Sequence, residues 1–150
     1  MSFGYQAQQA ESIPVDTGSG WPALSTGEFR QHRRIPEQFE EQVIADSLER
    51  SCGEVQLQLI QVVSSQGTDA PFTLNAASAP DFSAQQNSIY RAAVYSRSHA
   101  DLLGYFSAVD QKPSGNNKAQ DVDQQDALLA QSNRAVRQLL GRGRCGVHSL

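Results

Sequence analysis

Apolar residues recur at helical spacing in the last quarter of the chain. Over residues 118–140, Val122, Leu129, Ser132, Val136 and Leu139 or Leu140 stand among Gln, Asn and Arg. That pattern predicts one amphipathic helix. Gly141 ends it, and Gly143 opposes a restart. A further helix is predicted over about 84–109, with Ile89, Ala93, Ala100, Leu103 and Phe106 on one face and Tyr90, Tyr95, Leu102 and Tyr105 widening it. Upstream, Phe39, Val43, Leu48, Cys52, Val55, Leu59 and Val62 or Val63 follow one another at spacings of three to five. They predict a long helix opened by Pro36, with Gly53 as the place where it bends or stops. A short helix precedes it, starting at Ser25 or Thr26 with a hydroxyl N-cap, Glu28 in its first turn, and running to Arg34.

The stretches between are aperiodic. Residues 1–25 are rich in Gln, Gly, Ser and Pro, and no period survives across Pro14, Gly18, Gly20 and Pro22. Residues 64–83 form a long connection whose Phe72, Leu74 and Phe82 predict an ordered loop across a surface. Residues 110–118 read as a turn into the final helix, an antiparallel neighbour of the one before. The expected fold is all-α, a small bundle or hairpin of about four helices over residues 26–142 with the loop 64–83 inside it. An extended N-terminal arm occupies 1–25, and a short extended tail occupies 143–150. Phe3, Tyr5 and Trp21 of the arm, with Phe72 and Leu74 of the loop, are candidate contacts to a neighbouring subunit.

Composition narrows the picture. Aromatic content is 7% and apolar content 39% of 150 residues, so the core is modest and built largely of aliphatics and Ala. No apolar run suits a membrane span and the first residues carry no secretory pattern, so an intracellular protein without a membrane partner is expected. Charge is divided along the chain: residues 134–150 hold Arg134, Arg137, Arg142 and Arg144 without an acid, leaving the remainder at −8. Glu37, Glu40, Glu41, Asp46, Glu49 and Glu54 face Arg50 alone between residues 37 and 54. An acidic body with a basic end suits an acidic partner surface or nucleic acid.

Catalytic chemistry finds no support. His32, His99 and His148 stand in separate segments, and neither Cys52 nor Cys145 belongs to a metal or redox motif. Cys52 reads as a small hydrophobe on an apolar helix face. Ser98, His99 and Asp101 are expected to point in different directions from one helix. No phosphate-binding loop is present, and GRGRCG follows a helix C-terminus, the unfavourable end for an anion. No enzyme, cofactor or metal is expected. The basic run Arg30–Arg34 leaves open a small DNA-binding regulator, against which the overall pI of about 5.3 argues.

The stretch NRAVRQLLGRGRCGVHSL, residues 133–150, resembles the end of the head completion (head-stabilisation) proteins of contractile-tailed temperate phages, the gpL group. The resemblance rests on Ala135, Val136, Arg144, Cys145, Val147 and Leu150 in the family's order, and extends upstream through Trp21, Pro22, the basic short helix and Pro36. It implies a virion protein of the head–tail connector, assembled in the host cytoplasm. Such a protein forms a ring, of twelve copies, on the portal after DNA packaging, retains the genome and offers a platform to a neck or tail-terminator protein. On this reading Arg142 and Arg144 pair with portal acids while Cys145, Val147 and Leu150 fill apolar sites. Glu37, Glu40 and Glu41 then become candidates to line the channel through which DNA passes. Another neck or tail-terminator subunit and a scaffolding protein stand beside it as alternatives.

Overall fold

A computed structural model describes residues 11–109 and 117–143. In chain order, strands β1 (Pro14–Val15) and β2 (Leu24–Ser25) precede helices α1 (Thr26–Arg33), α2 (Glu41–Gln66), α3 (Ala84–Val109) and α4 (Asn117–Leu139). A 3-10 turn, Gly67–Asp69, follows α2. The fold is mostly helical but not strictly all-α, since the two strands pair antiparallel as a small hairpin, Pro14 opposite Ser25 and Val15 opposite Leu24. A two-residue pair carries no period, so no repeating pattern announced it.

α3 is the central element, with α2 on one flank and α4 on the other. Small side chains let both neighbours approach. Ser47 and Ser51 of α2, Ser96 and Ser98 of α3 and Ser132 of α4 are all buried. Each buried hydroxyl must find a partner, and Ser132 Oγ donates to the Ala93 carbonyl at 2.8 Å while Ser47 Oγ lies 2.8 Å from Ser98 Oγ. Around them Ile44, Leu48, Val55 and Leu59 of α2 and Tyr90, Val94, Tyr95 and Leu102 of α3 form the apolar core.

The helix ends follow local chemistry. Ser25 Oγ accepts from the Glu28 amide at 3.2 Å and caps α1. Ser83 and Gln86 form a reciprocal capping box ahead of α3: the Gln86 amide donates to Ser83 Oγ, and the Ser83 amide donates to Gln86 Oε1. α2 begins at Glu41, not at the expected Pro36. The Arg30 side chain holds the carbonyls of Pro36 and Phe39, which a helix from Pro36 would need as acceptors, and pairs with Glu41. α2 continues through Gly53 without a break; the position is exposed, with room for a Cβ. On α4 the buried face comprises Leu128, Ser132, Val136 and Leu139, continued by Leu140 in the turn after it; the expected Val122 and Leu129 are exposed. One residue along a helix is a 100° rotation, and α3 takes the Leu128 side.

The inner part of the expected arm belongs to the core. Val15, Trp21 and Leu24 are buried, and the Thr26 hydroxyl and amide bond Ile13. Trp21 lies against Phe82 and Tyr90, with ring centroids 5.7 and 5.3 Å away, and its indole N–H donates to the Ser78 carbonyl at 3.1 Å. Gly20, at φ +87, passes so close to the 71–83 loop that a Cβ would stand 2.6 Å from the Ala79 Cβ. Trp21 and Phe72, expected to contact a neighbouring subunit, are therefore enclosed within the protomer, while Leu74 is half-buried against the same core. Phe3 and Tyr5 lie outside the described residues.

Cys52 is buried as expected but is more than a hydrophobe. Its thiol sits 3.1 Å from the Tyr90 hydroxyl, and Gln56 Nε2 donates to Asp16 Oδ2 at 2.6 Å and to Tyr90 at 2.9 Å. This polar knot ties β1 to α2 and α3. Burial first, and the nearby Asp16 charge after it, push the Cys52 thiol up to about 12, the Tyr90 hydrogen bond acting in the opposite sense. Burial raises the Tyr90 phenol as well.

Two expectations follow. Trp21→Ala should lower stability by about 3–5 kcal/mol, the range for deleting a large core aromatic, read from denaturant unfolding followed by circular dichroism. The second concerns pH. The folded chain keeps its Cys52 proton up to about pH 12, whereas an unfolded thiol releases it near its ordinary 9.0. The folded state therefore binds more protons across that window, and unfolding free energy should fall as pH rises through it. Cys52→Ala should flatten that alkaline decline; an unchanged slope would show that the thiol is not shielded.

Candidate interaction surfaces

The basic run on α1 does not present a continuous cationic face. Arg30 is turned into the α1–α2 corner by Glu41 and two carbonyls. Arg33 reaches across to Ser96 Oγ and the Ala92 carbonyl of α3 and to Gln131 Oε1 of α4, 3.3 Å away. Burial lowers the Arg33 pKa from its ordinary value. His32 stands over Tyr95 and 3.8 Å from Glu28. Only Arg34 projects freely, and its backbone, at φ 50, closes the helix. Two of the three arginines thus serve as clamps between elements, which removes the cluster on which a DNA-binding reading rested.

Between α2 and α4, above α3, runs a groove of about 150 Å³ lined by charged and polar side chains together with Ala100 and Leu129. Arg97 on its floor spans both walls, donating to Glu54 of α2 at 3.0 Å and to Asn133 of α4 at 3.1 Å. Arg50 pairs with Asp101 at 2.7 Å. The groove charges are thus matched in pairs. Sequence spacing could not identify Arg97 as this bridge, because its partners lie 43 and 36 residues away. Ser98 and Asp101, expected to diverge, both converge on Ser47, since three residues along α3 return to nearly the same side. His99 points elsewhere and shares no contact with them; burial, then the nearby Arg33 charge, lower its pKa and favour the neutral ring. Among the described residues no group of His, Cys, Asp and Glu is placed to bind a metal ion, and no helix is long and apolar enough to cross a membrane.

The acidic candidates separate. Glu37 and Glu40 are exposed, but Glu41 is held by Arg30 and largely covered, so it adds no free charge to a surface. At the other end of the protein α4 closes with a Schellman motif: the Gly141 amide donates to the Gln138 carbonyl at 3.1 Å and the Arg142 amide to the Arg137 carbonyl at 2.9 Å. Gly141 sits at φ +67, the left-handed region this cap requires. The chain thereby turns off the helix axis and presents Arg142 on the surface. Of the remaining docking candidates, Arg144, Cys145, Val147 and Leu150 lie outside the described residues.

Comparison with known proteins bears on this surface. The chain is 26% identical over 147 residues, 97% of each protein, to a probable head completion/stabilization protein of Haemophilus phage HP1. No solved structure matches it. The sequence pattern described as "Phage head completion protein (GPL)" matches residues 15–150, from β1 to the last residue, so the chain belongs to the phage head completion protein (GPL) family.

Proposed function

We propose that the protein is a structural adaptor of the head–tail connector, which forms a ring on the portal of a filled head, holds the genome in place and gives the tail side its platform. The observation that carries this reading is the family match over nearly the whole chain, including the basic C-terminal residues. The capped end of α4 supports it. A Schellman stop gives the segment from Arg142 onward a rigid base and a direction away from the helix. Arg142 and Arg144 pair with portal acids there, and Cys145, Val147 and Leu150 enter apolar sites between portal subunits. If the tail adds to a sheet edge, its backbone supplies affinity and alternate side chains supply selectivity. Of the proposed channel acids, Glu37 and Glu40 remain, and their charge would keep passing DNA from adhering. Leu74, with Phe3 and Tyr5, remains for contact between ring neighbours. A tail-terminator or neck protein would be the next partner.

Electron microscopy of the protein mixed with the portal ring of its own phage tests the reading. An added layer that follows the portal's symmetry is expected. Removing residues 144–150 preserves the cap at Gly141, and so should leave helical content unchanged while abolishing that layer. A truncated protein that still decorates the portal would reject the docking role of the tail. A full-length protein that never adds a layer would reject the connector assignment.

A further inference from the structure

α2, α3 and α4 form a layer whose two faces differ. One face is covered: the Phe29 ring of α1 lies 5.4 Å from that of Tyr95, and Asp16 of the hairpin accepts from Gln56. Tyr95 and Arg97 stand two residues apart on α3, as do Gln56 and Glu54 on α2. Two residues along a helix turn a side chain by about 200°. Arg97 and Glu54 therefore look out of the opposite face. There, among the described residues, the groove is lined by α2, α3 and α4 alone.

The open face is also the apolar one. The exposed large apolar side chains among the described residues are Leu57, Tyr105, Val122 and Leu129. Leu129 lines the groove itself. Val122 stands two turns before it, Tyr105 one turn after Asp101 and Leu57 one turn after Glu54, so all four border the groove or its ends. The charges between them already pair with one another, Arg97 with Glu54 and Arg50 with Asp101. An occupant that covers this rim needs apolar side chains and no charge of its own. A charged one would lose its hydration and find no free partner.

Three segments lie outside the described residues: 1–10, 110–116 and 144–150. The second carries Asp110 and Lys112, and the third Arg144 and His148. Residues 1–10, MSFGYQAQQA, have no charged side chain and include Phe3 and Tyr5. The segment is rooted beside Ser12, whose Oγ accepts from the Gly27 amide of α1, on the covered face. Ten residues reach at most about 35 Å. A subunit with an arm on one face and a receptor on the other has the two unlike patches from which a head-to-tail ring is built.

We propose that residues 1–10 of each subunit dock, through Phe3 and Tyr5, in the α2–α4 groove of the next copy. This docking rests on the ring reading given above, and names the surface that receives the arm.

Photo-crosslinking of the portal-bound layer tests it. Benzoylphenylalanine in place of Tyr5 keeps an aromatic ring there, and mass spectrometry identifies the joined peptides. Mixing isotope-labelled with unlabelled subunits separates a neighbour's groove from the arm's own. Crosslinks to peptides holding Leu57, Tyr105, Val122 or Leu129 are expected, with mixed-label pairs as frequent as same-label ones. Leu129→Asp, at an exposed position, should keep native helical content and lower the crosslink yield about tenfold or more. Crosslinks confined to single chains, crosslinks to other elements, or a yield indifferent to Leu129→Asp would each overturn the docking and leave the portal reading standing. A protein that adds no layer to the portal overturns both.

Discussion

Everything in the fold depends on α3 being packed from two sides by helices that scarcely meet one another. A 26-residue helix with few large aliphatics can be buried this way only if its neighbours come close. The buried serines at both contacts permit that; the hydroxyls of Ser47, Ser98 and Ser132 bond carbonyls or each other, and that of Ser96 accepts from Arg33. Arg97 then closes the gap that remains between the outer helices. The arrangement explains how a chain poor in aromatics holds three helices of more than twenty residues each. It also explains why α4, touching the bundle along one stripe, leaves so much of its surface available.

The N-terminal hairpin completes what the helices leave open. Trp21, Phe72 and Phe82 gather over Tyr90, and the Asp16–Gln56–Cys52 knot fastens the same corner with polar contacts. Arg30 and Arg33 act at the opposite corner, where charge is used to join elements. The residues that seemed from sequence most suited to outside partners, the lone tryptophan and the basic run, are thus largely internal. Among the described residues, the outside keeps Glu37 and Glu40 ahead of the long helix, and Arg142 beyond Gly141.

Much of this was legible in the sequence. α3 begins at Ala84 and ends at Val109 as its periodicity predicts, and the last helix stops at Gly141 as its glycine predicts. Illegible were contacts made over long separations. No local pattern predicts that Arg30 withdraws the carbonyls of Pro36 and Phe39 from α2, or that Trp21 inserts beside Tyr90. The choice between Leu128 and Leu129 also depends on the neighbour, because both fit an amphipathic stripe. The family was legible in the last eighteen residues by resemblance and not by geometry, and the proposed docking residues stand there.

The hairpin has a bearing on how the protein is made. Trp21 leaves the ribosome early, yet its hydrogen-bond acceptor is 57 residues further on and its aromatic neighbours extend to Tyr90. Arg33 waits longer still, for Gln131, 98 residues away. The first elements synthesised are therefore among the last to be enclosed, and the apolar side of α1 stays uncovered until α3 has emerged. Such long-range closure slows folding and lengthens the exposure of apolar surface. The order of synthesis thus sets the interval during which the nascent chain most needs protection from its own kind.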